Sequence, residues 1–148
     1  MNKKQNEKIE SAESIPFHES MEACGLPIVT FKVGDEDINF MLDSGGMKSF
    51  IDSRVVQLLN LPHEPVNANV QIYGITGDVD KSSKIHMNFK YRDTEFSFDI
   101  VAHNLGNALD MVKEEYGIRI HGMLGSDFLE KYRCVLDFDD MVAYINKQ

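Results

Sequence analysis

Ile38-Asn39-Phe40-Met41-Leu42-Asp43-Ser44-Gly45-Gly46 is the stretch on which the reading of this chain turns. Its first five residues are too apolar for a solvent-facing strand, so the end of that strand reads as buried. The strand then runs directly into a carboxylate and two glycines. Burying a charge without partners is costly, so Asp43 must be paired, hydrogen-bonded or protonated. Alone, such an Asp also fits a tight turn in which it accepts from backbone amides. Both readings stay open at this level.

The pattern on either side is that of a small β protein. Ile28, Thr30 and Lys32 alternate with Val29, Phe31 and Val33, and residues 34–37 supply a turn, which makes a hairpin with the apolar strand. Downstream, Asp52-Ser53 reads as a cap for a short helix over 54–61 with Val55, Leu58 and Leu59 on one side. Pro62 and Pro65 mark a loop. A second hairpin is expected from 69–75 and from 79 onward, with Gly74 and Gly77 flanking its tip. Ile85, Met87 and Phe89, then Phe96, Phe98 and Ile100, alternate as further strands. Residues 109–116 read as a helix ended by Gly117, and 118–124 as a strand. Gly125-Ser126-Asp127 opens a short helix through Tyr132, and 134–138 with 142–145 makes a last hairpin around Asp139-Asp140. Short strands with two or three short helices indicate an all-β, mainly-β class and a small closed barrel.

Composition bounds the function. The chain has 148 residues, 15 Lys and Arg against 24 Asp and Glu, and a net charge of −9. That length makes one domain. Residues 1–14 are polar and read as disordered, and the division adopted is a flexible leader over 1–22 and a folded domain over 23–148. The acidic balance argues against a nucleic-acid-binding surface, which would be basic. Two cysteines are too few for a disulfide framework, and no Cys or His pair has zinc-finger spacing. No metal and no cofactor are expected. No run approaches the ~20 apolar residues of a membrane span, and the N-terminus lacks the apolar core of a secretory signal. The expectation is a cytoplasmic protein with no membrane partner.

Two motifs then carry a resemblance. Phe40-Met41-Leu42-Asp43-Ser44-Gly45 resembles the hydrophobic-Asp-Thr/Ser-Gly signature of aspartic proteases. Ile120-His121-Gly122-Met123-Leu124-Gly125-Ser126-Asp127-Phe128-Leu129 is similar to the second motif of that family, two apolar residues and a glycine before a short helix. Cys134-Val135-Leu136-Asp137-Phe138 resembles the strand that follows in bacterial retropepsin-like proteins. The resemblance covers residues 26–145, with a flap-like hairpin tip between the motifs at Tyr73-Gly74-Ile75-Thr76-Gly77.

The resemblance implies a single acid-protease-type lobe and an aspartic endopeptidase. Because the chain has one Asp-Ser-Gly signature, it implies a homodimer in which Asp43 of each subunit meets its copy on a two-fold axis. Two adjacent carboxylates share one proton; the ionised member activates water and the protonated member polarises the peptide carbonyl. The implied catalytic loop is Asp43, Ser44 and Gly45. Ser44 would bond across to the other subunit's loop, and the Gly45 amide would face the carboxylate. Tyr73, Gly74, Ile75, Thr76 and Gly77 would bind and cover an extended peptide or protein substrate. Asp127 is expected at a helix start and not as the second acid, His121 as a partly exposed polar residue, and Asp137, Asp139 and Asp140 as a solvated turn. Position 46 is Gly where the family more often has Ala or Ser, and the hairpin tip lacks the glycine-rich pattern of retroviral flaps. A second reading therefore stands beside the first: a catalytically inactive module that dimerises or binds peptides.

Overall fold

The structure, a computed structural model, describes residues 12–73 and 79–146. Its backbone is a barrel with a small sheet attached. Strands β2 (Ile28–Val33) and β3 (Glu36–Leu42) form the first hairpin, with Val33 opposite Glu36 and a two-residue turn at Gly34-Asp35. Their buried positions alternate as the sequence pattern requires: Val29, Phe31 and Val33 on β2, and Ile38, Phe40 and Leu42 on β3, face the core. After β4 (Phe50–Asp52) and helix α2 (Ser53–Leu58) come β5 (Glu64–Tyr73), β6 (Val79–Tyr91) and β7 (Thr94–His103), all antiparallel neighbours. Helix α3 (Ala108–Tyr116) leads to β8 (Gly122–Leu124) and helix α4 (Ser126–Lys131).

The sheet order is β2-β3-β8-β4-β7-β6-β5, and a pairing of Lys32 with Lys90 joins β2 back to β6. Six strands thereby close into a barrel, as the mainly-β pattern implied. The decisive piece of topology is β8. It enters between β3 and β4, parallel to the first and antiparallel to the second. A segment remote in sequence is thus wedged beside the strand that leads into Asp43.

The barrel is filled with aromatic rings. Phe31 lies 5.9 to 6.4 Å, centroid to centroid, from Phe40, Phe89, Phe96 and Phe128, mostly edge-to-face. Phe128 brings α4 into this cluster and fixes the helix against the barrel end.

The N-terminal part departs from the expected leader. Ala12–Pro16 is a strand, β1, paired along its length with β10 (Val142–Asn146), which pairs in turn with β9 (Val135–Asp137). His18–Cys24 follows as helix α1. The physical reason is burial: Ile15 and Phe17 are core residues, Phe17 sits edge-on to Phe138, and its N–H donates to Met141 O. Three further expectations shift. Leu58 points outward at 83% exposed, whereas Val55 is buried and Leu59 packs against the core as expected, with Val56 buried beside them. The strand expected over 118–124 is only Gly122–Leu124. His121 is buried at 8% exposed. Among the described residues no helix is long and apolar enough to cross a membrane.

Candidate active site

Asp43 follows the last residue of β3, and its backbone N–H donates to Leu124 O at 2.9 Å, extending the β3–β8 ladder by one bond. The chain then turns: Gly46 N–H donates to Asp43 O, and Gly45 N–H donates to Asp43 Oδ1 at 3.2 Å. Asp43 is half-buried, while Ser44 and Gly45 are exposed beside it. Among the described residues the Gly45 amide is the one donor to the carboxylate. Positive φ is not what the glycines supply, since neither is among the residues with positive φ. At Gly46 the reason is space. A Cβ there would stand 3.0 Å from Asp43 Oδ2 and 3.3 Å from its Cγ. The glycine lets the loop fold against the carboxylate without displacing it.

The turn between β8 and α4 holds the far side of this loop. Ser126 N–H donates to Gly46 O at 2.7 Å. The Asp127 carboxylate accepts from Ser49 N–H at 3.1 Å, from Ser49 Oγ–H at 2.6 Å and from Phe128 N–H at 2.8 Å. Ser49 Oγ in turn accepts from Gly125 N–H at 2.9 Å, and Ser49 is 1% exposed. The loop is therefore tied at its start, middle and end to one short segment of the second motif. Asp127 thus uses both oxygens within the chain, at the start of α4 where the sequence places it. Replacing Asp127 with Ala would strand the buried Ser49 hydroxyl and amide. The expected cost is about 2 kcal/mol of stability, read as a lowered midpoint in urea or thermal unfolding; Asp127→Asn keeps an acceptor and should cost less.

Strand register brings together residues that the sequence reading did not single out. Met41 pairs with Met123, Met123 with Phe50, and Phe50 with Val101. Register partners share a sheet face, and this row lies opposite the core-facing Phe40, Leu42, Ile51 and Leu124. Met41, Phe50 and Met123 are each half-exposed. Asp43, one residue past the end of β3, continues the phase of Met41, so this half-exposed apolar row leads toward the turn that carries the carboxylate. The signal for Met41 was present in its phase, opposite to Phe40 and Leu42, but its partners come from segments remote in sequence.

Beyond that row the face becomes polar. Asp52, 3% exposed, caps α2 and is clasped by Arg54, whose Nε and Nη2 both donate to it. Removing Arg54 would leave the buried Asp52 carboxylate without its cationic partner. Of the remaining candidates, Tyr73 ends β5, where it pairs with Val79 of β6. Gly74, Ile75, Thr76 and Gly77 lie outside the described residues. The Asp137 carboxylate accepts from Asp139 N–H and Asp140 N–H in an exposed turn. Among the described residues no group of three or more His, Cys, Asp or Glu side chains could hold a metal.

Comparison with known proteins follows the same lines. Three solved structures share the architecture. A retropepsin-like aspartic protease from Rickettsia conorii is 18% identical, over 90% of each chain, with a TM-score of 0.53. The protease of EIAV, solved with the inhibitor HBY-793, is 15% identical over 76% of this chain and 93% of its own, with a TM-score of 0.52. The retroviral protease-like domain of Ddi1 from Leishmania major is 13% identical over 83% and 90%, with a TM-score of 0.51. At these identities the likeness is one of fold. No curated protein matches significantly. The aspartyl protease family matches residues 29–128, from the first hairpin through the Asp43 loop to the first turn of α4. That span is more than half of the chain and contains both tied motifs, so the chain belongs to the aspartyl protease family and has the retropepsin-like fold.

Proposed function

We propose that the protein is an aspartic endopeptidase that works as a homodimer, with the two Asp43 carboxylates meeting on a two-fold axis. The observation that carries this reading is the unequal use of the two acids in the tied loops. Asp127 is fully occupied by Ser49 and Phe128, whereas Asp43 takes only the Gly45 amide among the described residues and stands on an exposed turn. Of these two acids, one chain thus leaves Asp43 for the chemistry. A C2 interface supplies the other, because it brings the same residue of both copies together.

In this reading the pair holds one proton. The ionised member takes a proton from water as it attacks the peptide carbonyl, and the protonated member hydrogen-bonds the carbonyl oxygen. The proton then passes to the leaving nitrogen as the C–N bond breaks. Ser44, exposed beside Asp43, would bond to the partner's loop and hold the two turns in register. Residues 73–77, which the sequence resemblance assigns to substrate binding, would cover the substrate. Met41, Met123 and Phe50 would receive apolar side chains of an extended peptide.

The test is cleavage of a peptide library by the full chain between pH ~4 and ~7, the window of a carboxylate pair. The expected result is cuts flanked by apolar residues and a maximum below neutral, since ionisation of both carboxylates removes the proton that the carbonyl needs. A rate that is still rising at pH ~7 would exclude the shared proton. A folded, dimeric protein that cuts nothing would instead support the inactive, peptide-binding reading.

A further inference from the structure

His121 is a histidine that the proposed chemistry does not use, yet it is buried in the joint that carries Asp43. It directly precedes β8. Its Nδ1 accepts the backbone N–H of Asn39 at 2.9 Å, and its own backbone N–H donates to Asn39 O at 2.8 Å. Its carbonyl accepts Asp52 N–H at 2.8 Å. One residue thereby fastens β3, β8 and β4 at the point where β8 enters between them. Asn39 is fixed on its other side as well: its Nδ2 donates to Arg119 O, and its Oδ1 accepts from Thr30 Oγ1–H. Two residues further along β3 and β8 lie Met41 and Met123, and then the Asp43 turn.

The joint depends on the protonation state of the ring. For Nδ1 to accept, the ring must be neutral with its proton on Nε2. A second proton would have to go to Nδ1, where it would face the Asn39 N–H donor to donor. We infer that His121 is a positioning residue for the Asp43 site, and that its protonation unfastens β3 from β8 and so sets the acid limit of the site. The charged surroundings point the same way. Burial is the main force holding the His121 ring below its usual range of protonation, and Arg119 adds to it. Asp52 opposes it, but Arg54 engages Asp52, and Asp110 lies between Arg54 and Arg119.

The sign follows from linkage. The unfolded chain protonates His121 near the ordinary value of 6.5 and the folded chain only at lower pH. Between the two values the unfolded state binds more protons. The stability that neutral His121 contributes is complete above the ordinary value and is lost as pH falls toward the folded one. The role in positioning rests on the peptidase reading; the joint itself does not.

The experiment compares wild type with His121→Asn, whose Oδ1 can accept the Asn39 N–H and does not titrate. Hydrogen exchange of the Asn39 amide, corrected for the intrinsic effect of pH, is followed from pH ~8 to ~4, from above the ordinary histidine range to the acid end of the cleavage window. Wild type should lose protection about tenfold or more as the joint opens, while the Asn variant keeps it. The acid limb of peptide cleavage should move to lower pH in the variant. Wild-type protection that does not change with pH, or an acid limb unmoved by the substitution, would overturn the inference. If the variant does not fold, the imidazole nitrogens of wild type decide: an Nδ1 already protonated at pH ~8 contradicts the neutral acceptor. Absence of any cleavage by wild type would count against the peptidase reading and leave the exchange result intact.

Discussion

Asp43→Asn is expected to leave the fold and the dimer in place and to remove peptide cleavage, with kcat lower by roughly 10³-fold or more. The substitution changes almost nothing that the chain uses to fold. Oδ1 of an Asn still accepts from Gly45 N–H, the backbone bonds to Leu124 and Gly46 do not involve the side chain, and the added amide hydrogens replace a group that is only half-buried. The chemistry is another matter. An amide at this position neither takes a proton from water nor gives one to a leaving nitrogen. Peptide cleavage assayed beside dimer mass and unfolding midpoint separates the two effects. A variant that still cleaves at a comparable rate would remove Asp43 from the mechanism.

Gly125→Ala should have a large effect on stability. A Cβ at position 125 would stand 2.7 Å from Gly46 O and from Lys48 O, and 2.9 Å from Lys48 C. These are backbone atoms of the Asp43 loop, so no side chain can rotate away. Either the loop or the start of α4 must shift. In both cases the Ser126 bond to Gly46 and the Gly125 bond to Ser49 lengthen together. Overpacking of this kind combined with two weakened hydrogen bonds is expected to cost about 3 kcal/mol. In a chain of this length that lowers the Tm by roughly 10 °C. Thermal unfolding checks it. Unchanged stability would mean that the loop and the helix start are not held as tightly as the close approach implies.

The two predictions draw on parts of the molecule that were unequally visible in the sequence. The β2–β3 hairpin and the Asp43 turn were legible because their determinants are local: alternation of Val29, Phe31 and Val33, turn residues at 34–37, and an apolar strand ending in Asp-Ser-Gly. The second motif was visible as a pattern, and Asp127 was expected near a helix start. Its bonds to Ser49 span 78 residues of sequence, however, and no local spacing encodes them. The apolar row that leads toward Asp43 was hidden for the same reason. It exists only once β8 lies between β3 and β4. Strand β1 was missed because only Ile15 and Phe17 signal burial, and their partners lie at the opposite end of the chain. His121 was expected to be partly exposed because nothing in its neighbourhood of sequence reveals that Asn39 will meet its ring.

In the proposed enzyme two protomers each contribute one Asp43 to a single site, and mixing tests this most directly. Wild type and Asp43→Asn chains are co-refolded at constant total protein, and cleavage is measured as the fraction of wild type varies. If both carboxylates are needed, activity follows the square of that fraction and stands at about a quarter of the wild-type value in an equal mixture. A linear dependence, with about half the activity at that point, would mean that one Asp43 suffices and would contradict the shared site.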